Sequence, residues 1–188
     1  AISEIQRPFV WKSSQVRDLV DSLYTGYPTG YLIISQSPNM KLKDGSISEG
    51  KKILIDGQQR VTALMTSIMG MEVINSNFAK VRIKISFNPL ANGDKEEEFF
   101  KVQDTAILKD KRWIPDIAEL FTPDFKRGSF VTNYCQINPE MNQDNLHDIL
   151  DDLIGIKNRQ IGVITLDKGL TIDEVTEIFI RINSPGTK

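Results

Sequence analysis

The sequence predicts a small mixed α+β domain, and two observations carry that expectation. Segments with helical apolar spacing and recognisable ends alternate with short apolar runs of strand length. No pattern supports a long parallel sheet. The chain has 188 residues, of which 40% are hydrophobic and 26% charged. That is enough for one compact domain, or one domain with a sizeable insertion, whose core needs neither disulfides nor a structural metal.

Taken in order, the first helix can be capped by Ser13 or Ser14, buries Val16, Leu19, Val20 and Leu23, and stops at Gly26. Tyr31 to Ser35 and Lys52 to Ile55 are near-continuous apolar runs, as for strands covered on both faces. A second helix follows Asp56 at once, with Val61, Leu64, Met65 and Ile68 on its apolar stripe and Gly70 at its end. Val81, Ile83, Ile85 and Phe87 then alternate with Arg82, Lys84 and Ser86, which predicts a strand with one wet, basic face. That face either touches nucleic-acid backbone or is merely solvated.

Between residues 88 and 136 no period holds for long, and the stretch reads as an insertion or lid over the core. Asn92-Gly93-Asp94 suggests a turn and Lys95 to Glu98 a solvated helix. Trp113 and the aromatics Phe99, Phe100, Phe121, Phe125 and Phe130 suit a small core of its own better than a base-stacking platform. A third helix starts near Asn138-Pro139 and buries Leu146, Ile149, Leu150 and Leu153 before Gly155. Ile161 to Leu166 reads as a buried strand. The last helix opens at Thr171 with Glu174 three residues on, a capping box, and buries Val175, Ile178, Phe179 and Ile182. Residues 1–188 are thus expected to form one domain, the front part of a longer protein.

Composition narrows the function. A net charge of −2 means the whole chain is not an electrostatic nucleic-acid binder. One cysteine, Cys135, and one histidine, His147, exclude an intrachain disulfide, the common zinc spacings, a His-Asn-His nuclease and a His-based triad. Cys135 has no neighbouring base and reads as a packing residue, and His147 as a surface or boundary residue. No apolar run approaches the roughly 20 residues that span a bilayer, and the start is unlike a signal peptide, so a cytoplasmic location is expected.

The stretch that carries chemistry is Ile53-Leu54-Ile55-Asp56-Gly57-Gln58-Gln59-Arg60-Val61-Thr62. A strand ends at Asp56 and a helix begins, and the amides of a helix's first turn lack intrahelical partners and attract anions. Gly57 removes a side chain that would keep a phosphate from the backbone. Arg60 offers a planar fork of donors, and Gln58 and Gln59 add neutral ones, with Gln59 opposite the apolar stripe and so facing solvent or ligand. Asp56 makes sense beside a phosphate if it holds Mg²⁺ or orients a water. The alternative is a capping box of Asp56 with Gln59 that needs no ligand. No Gly-x-x-x-x-Gly-Lys-Ser/Thr loop occurs.

Two further stretches bear on that choice. Gln6-Arg7-Pro8-Phe9-Val10-Trp11 is either an aromatic staple or part of a site. Phe179-Ile180-Arg181-Ile182-Asn183-Ser184-Pro185-Gly186-Thr187 is either a simple helix stop or puts Arg181 and Asn183 to use. In this order the three stretches resemble the N-terminal domain of the GmrSD-type, modification-dependent restriction proteins, and the likeness spans nearly the whole chain. The family's hallmarks match Gln6 to Trp11, Asp56 to Arg60, and Phe179 with Asn183.

That resemblance implies a compact ParB/sulfiredoxin-like fold, a mixed sheet flanked by helices, which binds nucleoside triphosphate with Mg²⁺ at a helix start. It implies a nucleotide site of Gln6, Arg7, Asp56, Gly57, Gln58, Gln59, Arg60, Arg181 and Asn183. Asp56, Gln59 and Arg60 would be catalytic, and Asp56 the metal ligand. Hydrolysis would regulate cleavage of modified or foreign DNA by a nuclease domain or partner subunit that this chain does not contain. Other readings are a nucleotide- or DNA-sensing module without turnover and a ParB-like nuclease. Ser184-Pro185-Gly186 departs from the family, many of whose members carry a second glycine there, and Pro185 stiffens the turn.

Overall fold

A computed structural model describes residues 8–35, 52–93, 97–167 and 169–183, without the side chains of Ile172 and Asn183. The fold is mixed α+β, as expected. It divides into two compact units: residues 1–7, 30–58 and 160–188 form the first, and residues 8–29 and 59–159 the second.

The first unit is built on a three-stranded sheet in the order β2 (Ile53–Asp56), β1 (Tyr31–Ser35), β7 (Gly162–Leu166). β1 runs antiparallel to β2, with Ile33 opposite Asp56 and Ser35 opposite Ile53, and parallel to β7, with Tyr31 opposite Gly162 and Ser35 opposite Leu166. Ile33, Ile53 and Ile55 are buried with Val175 of α5 (Ile172–Asn183), and Leu166, Leu170 and Phe179 pack against them. The intervening residues of β1 and β2 are not fully covered, so these strands bury alternate positions rather than both faces. β7 departs further from expectation. As the outer strand of the order it leaves Val163 54% and Ile164 44% exposed. A Cβ at Gly162 would lie 2.5 Å from the ring of Tyr31, so a larger residue there would have to displace that exposed ring. α5 opens on the expected capping box, with Thr171 N–H donating to Glu174 Oε2 (2.7 Å) and Glu174 N–H to Thr171 Oγ1 (3.3 Å). Ile182, expected inside, is exposed.

In the second unit α1 (Ser13–Thr25) buries the predicted Val16, Leu19, Val20 and Leu23. Its cap lies one residue early: Lys12 precedes the helix and donates its N–H to Gln15 Oε1 at 2.9 Å. Gly26 closes it in the left-handed conformation, φ 82°. α2 (Gln58–Ser67) buries Ala63, Thr66 and Ser67, while Leu64 and Ile68 of the predicted stripe are only partly covered. Small residues allow close approach, and their hydroxyls are satisfied locally: Ser67 Oγ donates to the Ala63 carbonyl (2.7 Å) and Thr66 Oγ1 accepts from Ile83 N–H (2.8 Å).

That last bond explains why the predicted strand over 81–87 is broken. β3 (Val73–Ile74) and β4 (Lys80–Val81) form a hairpin, and β5 (Ile85–Phe87) pairs instead with β6 (Phe100–Val102). The expected wet basic face is not all free: Arg82 Nη2 lies 2.7 Å and Lys84 Nζ 3.9 Å from the buried carboxylate of Asp116.

The irregular region holds a helix without a sequence signal, α3 (Arg127–Ile137), buried through Val131 and Tyr134. Asn138 ends α3 rather than starting the next helix, donating Nδ2 to the carbonyls of Tyr134 and Lys111, both at 3.1 Å. α4 (Gln143–Ile154) is capped by Asn142, whose Oδ1 accepts from Asn145 N–H at 2.7 Å. Glu97 and Glu98 are not helical, and residues 94–96 lie outside the described residues. The aromatics of this region build no core of their own. Phe99 and Phe100 pack with Tyr24 and Phe87 at centroid distances of 5.0–6.2 Å, in one cluster with α1 and α4.

Candidate functional site

Asp56 is the last residue of β2 and is half-buried. Gly57, buried, has φ 95°, a conformation that a side chain strains. The glycine is therefore demanded by the turn from β2 into α2 as well as by any ligand that approaches its backbone. α2 begins at Gln58, so the first-turn amides belong to the pentapeptide itself. In the first unit, Gln58 Nε2 donates back to the Leu54 carbonyl at 3.3 Å.

Gln59 and Arg60 are held by backbone within the second unit. Gln59 Oε1 accepts from Val10 N–H at 2.9 Å and its Nε2 donates to the Pro8 carbonyl at 3.2 Å. Both ends of the carboxamide thus lie on Pro8–Val10, part of the first family stretch. Arg60 Nη1 donates to the Thr29 carbonyl at 2.7 Å.

The rest of the first stretch packs. Phe9 is buried and donates its N–H to the Ile74 carbonyl at 2.9 Å, and Trp11 lies against the same core. Gln6 and Arg7 lie outside the described residues. In the third stretch Phe179 packs on the cluster that contains Ile53 and Ile55 of β2. Arg181, its side chain 77% exposed, pairs with Glu177 one turn earlier at 2.5 Å. Asn183 is the last residue of α5, and its side chain is outside the described set.

Among the described residues no group of three or more His, Cys, Asp or Glu side chains is placed to hold a metal ion. Mg²⁺ keeps water and takes substrate phosphate oxygens among its ligands, so it does not require such a cluster. Burial raises the pKa of the Cys135 thiol, which favours its protonated form. A cavity of about 360 Å³ in the second unit is lined by Glu97, Glu98, Asp104 and Asp110 against Lys101 and Arg112. Its carboxylates outnumber its cations, and it contains no member of the pentapeptide.

Sequence reasoning missed three participants. Asp116, 2% exposed, gathers Arg82, Lys84 and the Ala118 N–H, and an Asp immediately before a helical turn is a readable cap signal. The carbonyls of Pro8 and Thr29 left no signal, because backbone acceptors have no residue identity.

The family model described as the GmrSD restriction endonuclease N-terminal domain matches residues 1–188, the whole chain. An uncharacterized protein of Methanocaldococcus jannaschii is 24% identical over 224 aligned residues, covering 100% of this chain and 37% of the relative. The chain therefore spans little more than a third of the length of that relative. No helix among the described residues is long and apolar enough to cross a membrane.

Proposed function

The chain belongs to the GmrSD restriction endonuclease N-terminal domain family, and from that premise we propose that it binds a nucleoside triphosphate at Asp56 to Arg60 and hydrolyses it to regulate DNA cleavage by the rest of a restriction protein. The observation that carries this reading is the turn itself: a buried glycine at φ 95° joins the end of β2 to a helix whose first turn holds Gln58, Gln59 and Arg60. First-turn amides attract phosphate oxygens, and a guanidinium such as that of Arg60 offers them a planar fork of donors.

In the reaction a water oxygen attacks the terminal phosphorus. The bond to the bridging oxygen breaks, and a nucleoside diphosphate leaves with inorganic phosphate. Asp56 orients the water and receives its proton, and Arg60 holds charge on the phosphoryl oxygens as it develops. Mg²⁺, when bound, would be held by the Asp56 carboxylate and would draw charge from the phosphates. Gln59 acts as a positioning residue, since its carboxamide is occupied by Pro8 and Val10.

The test is thermal stability with Mg²⁺ and each of the four ribonucleoside triphosphates, beside Arg60→Ala. A nucleotide at 100 times its Kd stabilises the fold by about 2.7 kcal/mol. A shift lost in Arg60→Ala supports the site, and no shift with any nucleotide removes it. Phosphate release that survives Asp56→Ala removes that residue's role. A second reading, a module that binds nucleotide as a signal without turnover, is favoured by the Gln59 carboxamide, which is bonded to Val10 and Pro8 rather than left to act on a phosphate. It predicts binding lost in Arg60→Ala with no phosphate release from the unaltered chain.

A further inference from the structure

The hairpin of β3 and β4 carries a feature that the nucleotide site does not use. Phe78, at its tip, is 80% exposed and adopts φ 58°, the only positive φ outside glycine among the described residues. A bulky residue is disfavoured there, and such conformations persist where the surroundings impose them. Asn75 imposes this one. Its Oδ1 accepts from Asn77 N–H (2.9 Å) and Ala79 N–H (3.0 Å), its carbonyl from Phe78 N–H (3.0 Å), and its own N–H donates to the Ala79 carbonyl (3.0 Å). The root is tied down by the Phe9–Ile74 bond. An aromatic ring is thus held out into water on a braced loop, where it adds nothing to the core.

The local sequence is one-sided in charge. Between Glu72 and Asp94 there is no Asp or Glu, while Lys80, Arg82 and Lys84 are present, in a chain whose net charge is −2. Arg82 and Lys84 share the carboxylate of Asp116, two cations to one anion, and Lys80 belongs to the hairpin itself. Lys80 sits opposite the exposed Ile74 in the hairpin register, at the base of the loop bearing Phe78. Asn75, Ser76 and Asn77 supply neutral polar groups beside the ring.

An exposed aromatic beside cations and amides, in a family named for restriction endonucleases, matches the chemistry of stacking on a base while contacting its phosphates. We propose that the Asn75–Lys80 loop is a DNA contact in which Phe78 stacks on an unpaired or unstacked nucleobase and Lys80 meets the adjoining phosphate. The contact is separate from the nucleotide reading and stands or falls without it.

The test is fluorescence anisotropy of the unaltered chain with a labelled single-stranded oligonucleotide and with its duplex, plus 2-aminopurine emission as a stacking readout. Phe78→Ala should weaken binding about 5- to 150-fold, the range for losing one stacked base. Phe78→Tyr should retain it, and Lys80→Gln should lower the salt slope by about one unit. Phe78→Gly, which relieves the left-handed strain, should bind as poorly as Phe78→Ala while melting no lower than the unaltered chain. Preference for the single strand identifies stacking on a free base, and preference for the duplex identifies a wedge between base pairs. A chain that binds neither form overturns the proposal. So does unchanged affinity in Phe78→Ala, which would leave the ring to a protein partner, or unfolding on loss of the ring.

Discussion

Gln59→Ala removes one side chain and two hydrogen bonds, at 2.9 Å to Val10 N–H and 3.2 Å to the Pro8 carbonyl. Each such bond contributes about 0.5–1.5 kcal/mol net. Val10 is exposed, so water reaches the groups left behind and the cost falls in the lower part of the range. The expected loss is about 1–2 kcal/mol. Gln59→Glu keeps an acceptor for Val10 N–H but sets a carboxylate against the Pro8 carbonyl, so it should lose roughly 1 kcal/mol, one bond's worth. Both tryptophans, Trp11 and Trp113, lie in the second unit, so their fluorescence in a urea titration reports the part of the chain that Gln59 braces. The midpoint should fall at constant slope. A change within about 0.3 kcal/mol for Gln59→Ala, smaller than one net hydrogen bond, would refute the bracing role. Nucleotide assays then separate positioning from chemistry. A brace predicts weaker binding with normal turnover at saturation, whereas a group acting on phosphate predicts normal binding and lost turnover.

Leu150 of α4, fully buried in the large core cluster of the second unit, should cost about 2–5 kcal/mol as Leu150→Ala in the same titration. Asp116→Asn keeps an acceptor for Ala118 N–H but withdraws the charge facing Arg82; because Arg82 reaches the surface, a loss of about 1–3 kcal/mol is expected rather than that of a fully buried pair. Asp21 has its pKa raised, first by burial and then by Asp18 and Glu98, with Arg17 opposing. The folded chain therefore binds this proton more tightly than the unfolded one, and stability gains from it as pH falls through the folded pKa to the unfolded one. Asp21→Asn should stabilise the chain at neutral pH and flatten that acid gain, measured by thermal melts from pH 7 to 4. An unchanged pH profile would dismiss the shift.

What the sequence determined by itself was local. The α1 stripe of Val16, Leu19, Val20 and Leu23, the Thr171–Glu174 capping box and the strand–Gly57–helix turn are all present, because spacing, caps and glycine act within a few residues. Family membership was equally legible, since the pentapeptide and its flanking stretches are linear signals. Tertiary structure decided the rest. Whether an apolar run is covered depends on its neighbours, so Ile161–Leu166 reads as a core strand and yet forms an outer one with Val163 and Ile164 exposed. The strand predicted over 81–87 breaks because Thr66 takes the Ile83 N–H and Asp116 draws in Arg82, partners distant in sequence. The pairing of Gln59 with Pro8 and Val10, and of Arg60 with Thr29, rests on carbonyls and amides that every residue carries. Only the folded chain, by fixing where each backbone group lies, can choose among them.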